Sequence, residues 1–82
     1  MQFSYRPRGV CSQQMDFDIE NDVIQSVKIY GGCSGNLQGI SRLVEGKNVD
    51  EVIGLLRGIR CGMKPTSCPD QLARALELYK EG

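Results

Sequence analysis

The sequence predicts an α+β domain: a small antiparallel three-stranded sheet followed by three helices packed on one face of it. Two observations carry that expectation. Apolar and polar residues alternate through the first third of the chain, as in half-buried strands, and apolar residues then recur every three or four positions, as in helices. Glycine, proline and capping residues fall where the period changes. The 82 residues make one domain, 1–82, and a chain this short buries roughly 60–65% of its unfolded surface.

Residues 2–6 place Phe3 and Tyr5 on one face of an edge strand that Pro7 and Gly9 end. From Gln13 to Glu20, Met15, Phe17 and Ile19 face one way while Gln14, Asp16, Asp18 and Glu20 face the other. After a turn, Val23 to Tyr30 alternates again, with Val23, Val27 and Ile29 together. A two-residue Asn21-Asp22 loop would pair Phe17 with Ser26 and Met15 with Lys28, which wastes the apolar face. A three-residue Glu20-Asn21-Asp22 loop pairs Ile19 with Val23 and Met15 with Val27, and is therefore expected. It sets Cys11 opposite Gly31, so that Cys33 follows about 7 Å further on.

Gly31-Gly32-Cys33-Ser34-Gly35 reads as a strand-to-helix turn. Either its glycines allow close backbone approach to a bound group, with Cys33 at a helix start, or it is a tight turn with a buried cysteine. Neither a dinucleotide fingerprint nor a P-loop can be written through it. A helix follows from Asn36, with Leu37, Ile40, Leu43 and Val44 on one face and Gly46 as its stop. Asn48 and Glu51 resemble a capping box for a second helix whose apolar stripe is Val49, Val52, Ile53 and Leu56. Gly58 ends it. The last helix is expected from about Pro69 to Tyr79, with Leu72, Ala75, Leu76 and Tyr79 inward.

Ten basic and ten acidic residues leave a formal charge of zero, which argues against nucleic acid or an anionic membrane as principal partner. No apolar run has the form of a secretory signal or a membrane span, so the expected location is cytoplasmic. Four cysteines in a reducing compartment more often bind metal or do redox chemistry than form structural disulfides. The absence of histidine excludes Ser-His-Asp or Cys-His nucleophilic pairs and any His-ligated metal. Oligomeric state stays open, a homodimer included.

Chemistry concentrates in Cys61-Gly62-Met63-Lys64-Pro65-Thr66-Ser67-Cys68-Pro69-Asp70. Thr66 or Ser67 caps a helix there, Pro69 sits in its first turn, and Asp70 faces the positive end of the dipole. That places the Cys68 sulfur where a thiolate is favoured. The run Thr66-Ser67-Cys68-Pro69-Asp70 is the signature of the TSCPD domain, which the chain resembles along nearly its whole length if Cys11, Cys33 and Cys61 are the other three cysteines. Such domains occur as small free-standing proteins and at the C-terminus of adenosylcobalamin-dependent ribonucleotide reductases. The resemblance implies a ribonucleotide reductase as partner but no reductase activity, because 82 residues cannot form the barrel that reaction needs. The element order also resembles U-type iron–sulfur cluster scaffold proteins. Cys11, Cys33 and Cys68 fall on their three ligand positions, and Gly46-Lys47-Asn48-Val49-Asp50-Glu51 on their Gly-Lys-x-x-Asp-Glu segment. That implies an iron–sulfur client protein as an alternative partner. The scaffold's aspartate is Gln13 here and its histidine is Ser67, while Cys61 supplies a fourth thiol.

If the hairpin, the glycine turn and the last helix converge, Cys11, Cys33, Cys61 and Cys68 surround one point and form a metal site for zinc or an iron–sulfur cluster. The rival reading is thiol redox between Cys61 and Cys68, with Arg57, Arg60 and Lys64 favouring the thiolate. The third is a docking module whose cysteines are small core residues. Arg6 and Arg8 read as edge-strand charges, Asp16, Asp18 and Glu20 as a wet strand face, and Met15, Met63 and Tyr79 as packing residues.

Overall fold

The computed structural model describes residues 1–10, 12–31 and 34–81, Ser34 through its backbone alone. The elements come in the expected order. Strands β1 (Gln2–Tyr5), β2 (Ser12–Glu20) and β3 (Val23–Gly31) precede helices α1 (Ser34–Val44), α2 (Val49–Leu56) and α3 (Cys68–Glu81). The sheet is antiparallel in the order β1-β2-β3. Met15, Phe17 and Ile19 of β2 enter one core with Val44, Val49, Val52, Leu72, Ala75 and Leu76 from the helices. Phe3 packs beside it, its ring 5.9 Å from that of Phe17 and 6.2 Å from that of Tyr79.

The hairpin register differs from expectation. The loop has two residues, Asn21 and Asp22, both with positive φ (53° and 62°), and Glu20 pairs with Val23. Asn and Asp tolerate that left-handed geometry, and its twist suits the flanking strands. The apolar face is rescued by an irregularity: Ile19 pairs with Ile24, but Asp18 pairs with Ser26, leaving Gln25 as an extra residue on β3. Phe17 then meets Val27 and Met15 meets Ile29. Ile24, not Val23, is buried with Val27. A second shift beside Gln13 makes Ser12 the partner of Gly31. Gly31 adopts φ of 79°, and a Cβ there would lie 3.0 Å from the Gln13 side chain. Ser12 thus takes the place opposite Gly31 that was expected for Cys11, which itself lies outside the described residues.

Helix α1 buries Leu37 and Val44, whereas Leu43 is 71% exposed: it lies six residues after Leu37 and so turns away from that stripe. Asn48 caps α2 by accepting the Asp50 N–H at 2.9 Å, and Val49 and Val52 are fully buried. The turn before it is clipped to the hairpin. Gly46 N–H donates to the Ile24 carbonyl at 2.7 Å, Ile24 N–H to the Lys47 carbonyl at 3.0 Å, and Val49 N–H to the Asp22 carbonyl at 2.8 Å. Among the described residues, no helix is long and apolar enough to cross a membrane.

Candidate metal centre

Ser67 is the cap of α3, its hydroxyl oxygen accepting the Asp70 N–H at 3.2 Å while donating to the Ile59 carbonyl at 2.6 Å. Cys68 is therefore the first helical residue, half-buried, with its sulfur 3.3 Å from the hydroxyl oxygen of Ser12. Ser12 itself is only 4% exposed. Strand pairing thus delivers a buried hydroxyl from the start of β2 to the start of α3.

Asp70 does more than face a helix dipole. Its side chain is 1% exposed, and one oxygen accepts the Gly58 N–H at 2.7 Å and an Arg57 N–H at 3.4 Å. The other accepts the Arg74 Nε–H at 2.9 Å and the Thr66 hydroxyl. Gly58 can present its N–H there because φ of 92° is open to glycine. Burial pushes the Asp70 carboxyl up, but the hydrogen bonds from Thr66, Gly58 and Arg74 outweigh it and hold the group at about 2. Thr66 in turn accepts from Gln71 Nε2 at 3.0 Å, and Gln71 Oε1 accepts from the Tyr5 hydroxyl at 2.9 Å and the Arg8 N–H at 3.0 Å. A buried polar relay therefore runs from the N-terminal segment through Gln71, Thr66 and Asp70 to the end of α2. Among the described residues, no buried side-chain nitrogen or oxygen lacks a partner.

The loop between α2 and α3 is closed at its base by this frame. Cys61 N–H donates to the Thr66 carbonyl at 3.2 Å, and Lys64 N–H to the Cys61 carbonyl at 3.0 Å. Cys61 is exposed. Arg57, expected to favour a thiolate, is instead held by Glu77 at 2.8 Å and by Asp70. Met63, expected to pack, is fully exposed at the loop tip, whereas Met15 is fully buried as expected.

Cys61 and Cys68 line one groove of about 490 Å³ with Gly35, Leu37, Ile40 and Leu43 of α1. Both are free thiols. Cys11 and Cys33, the other two expected ligands, lie outside the described residues. Among the described residues, no group of three or more Cys, Asp or Glu side chains is gathered to hold a metal. Ser12, Gln71 and the hub role of Asp70 escaped sequence reasoning. The only hint was position: Ser12 adjoins a cysteine, and Asp70 and Gln71 sit where α3 begins its buried face.

Comparison with known proteins gives one match: the family model described as the TSCPD domain covers residues 3–80. No curated protein and no solved structure matches the chain.

Proposed function

We propose, since this chain belongs to the TSCPD-domain family, that it is a small metal-binding module whose Cys11, Cys33, Cys61 and Cys68 hold zinc or an iron–sulfur cluster. The observation that carries this reading is the contact between Ser12 and Cys68. Cys11 immediately precedes Ser12, and Cys33 lies two residues before Gly35, which shares a groove with Cys61 and Cys68. Chain neighbours of the two undescribed cysteines thus adjoin the two described ones. An all-thiol donor set in a chain without histidine fits zinc or an iron–sulfur cluster and disfavours hard cations. Bound metal would stabilise a small fold, because binding energy adds to folding energy. In this reading the module serves ribonucleotide reduction as an accessory to a reductase in the cytoplasm, or hands its cargo to an iron–sulfur client.

Metal analysis of untagged protein purified without air tests it. About one zinc or one cluster per chain is expected, lost in both Cys33→Ser and Cys68→Ser. Metal-free wild-type protein overturns the reading.

A second reading rests on the exposure of Cys61 beside the groove it shares with Cys68. The two thiols would be oxidised to a disulfide, losing two protons and passing two electrons to a disulfide of a ribonucleotide reductase, which becomes two thiols. Metal-free protein with a reversible Cys61–Cys68 disulfide favours this reading. Metal-free protein with unreactive thiols that still binds a reductase leaves a docking module.

A further inference from the structure

Residues 57–65 are exposed without exception, so the loop that presents Cys61 has no apolar anchor of its own. With even Ile59 42% exposed, hydrophobic burial contributes little to fixing its shape. What ties it down is polar and comes from the buried residues that follow. Asp70 grips the loop's first residues through Arg57 and Gly58, Ser67 grips Ile59, and the Thr66 backbone grips Cys61. Thr66 is itself held between Asp70 and Gln71. Cys68 rides on α3, the helix that carries Asp70.

We propose that Asp70 and Thr66 are the positioning residues of the cysteine site, fixing where Cys61 stands relative to Cys68. This deepens the metal-centre reading and rests on it. The chemistry of the hub explains why these residue types are needed. Asp70 receives four donors, which an acceptor-only carboxylate can satisfy and an asparagine, with two donors of its own, cannot. Thr66 must both donate to Asp70 and accept from Gln71, which takes a hydroxyl. The signature so divides its labour: one residue is left to react, and its neighbours hold the loop opposite.

The test compares Thr66→Val, Thr66→Ser and Asp70→Asn with wild type in the full chain, each confirmed as folded by circular dichroism. Zinc affinity is read by competition with a chromophoric chelator in the absence of air. Thr66→Val and Asp70→Asn are expected to bind zinc about 10–100-fold more weakly, and Thr66→Ser like wild type. Folded Thr66→Val with wild-type zinc affinity overturns the proposal, and this variant decides if Asp70→Asn does not fold. Wild type that binds no metal sinks the metal reading alone, and positioning is then read from the thiols. With Cys11 and Cys33 both changed to serine, Cys61 and Cys68 are equilibrated with glutathione disulfide, which takes their two electrons and leaves as two glutathione thiols. Thr66→Val should lower that equilibrium constant about tenfold while Thr66→Ser leaves it unchanged, and equal constants in all three overturn the proposal.

Discussion

The hydroxyl oxygen of Ser12 lies 3.3 Å from the sulfur of Cys68, across 56 positions of sequence. The contact joins the entry of the hairpin to the entry of the last helix. A hydroxyl held against a ligand sulfur fixes that sulfur's orientation toward a metal. Ser12→Ala is expected to leave the fold intact and to weaken metal binding by about tenfold. Chelator competition measures it, and Ser12→Thr should restore most of the loss. Unchanged affinity in Ser12→Ala would show the contact to be packing only.

Acid should loosen the frame around Asp70. Its folded value of about 2 lies below the ordinary 3.8, so the stability it contributes is fully present above about pH 4 and is lost as pH falls from about 4 to about 2. The difference corresponds to about 2 kcal/mol. Urea unfolding midpoints across that range should fall in wild type and flatten in Asp70→Asn. At neutral pH that variant should be about 2–3 kcal/mol less stable, chiefly from the misfit at Thr66 and Gly58. Arg57 and Arg74 are each 42% exposed and can turn to water, which limits the loss.

Asn21→Val should destabilise by about 1–2 kcal/mol, because a β-branched residue is forced to a positive φ. Thermal unfolding reads this directly. A neutral effect would favour a longer loop in which position 21 has ordinary geometry.

The metal-centre proposal requires that removing metal lower the unfolding midpoint. A ligand present at 100 times its dissociation constant stabilises by about 2.7 kcal/mol, and that increment should disappear on chelation and return when zinc is restored. The same titration on Cys68→Ser should show no shift in either direction.

The architecture could be read from the chain because its strongest patterns are periodic. Met15, Phe17 and Ile19 announce a half-buried strand and Val49 and Val52 a helix, and all five are buried as expected, while Asn48 caps that helix through the Asp50 N–H and not as a box with Glu51. The register could not. One extra residue at Gln25 moves Ile24 and Val27 to the same face despite their odd spacing, and a bulge carries no composition of its own. Leu43 and Met63 fit an apolar vocabulary yet stand in water, because exposure depends on which neighbours arrive from elsewhere. Asp70 shows the opposite failure. A charged residue is taken for surface until its partners are known, and here they come from Arg57, Gly58, Thr66 and Arg74. At the cysteines, Cys61 and Cys68 line one groove, while Cys11 and Cys33, the other two thiols expected at that pole, fall outside the described residues.

The clip that Gly46 and Lys47 place on Ile24 bears on self-recognition. Strand β3 borders the sheet, and a bare border is a template on which stray chains can polymerise. Near the hairpin tip that template is already filled, since both backbone groups of Ile24 are taken by the molecule itself. Further along, the exposed ammonium of Lys28 confronts any newcomer. The turn that precedes the second helix thereby leaves Ile24 no free backbone donor or acceptor to offer another strand.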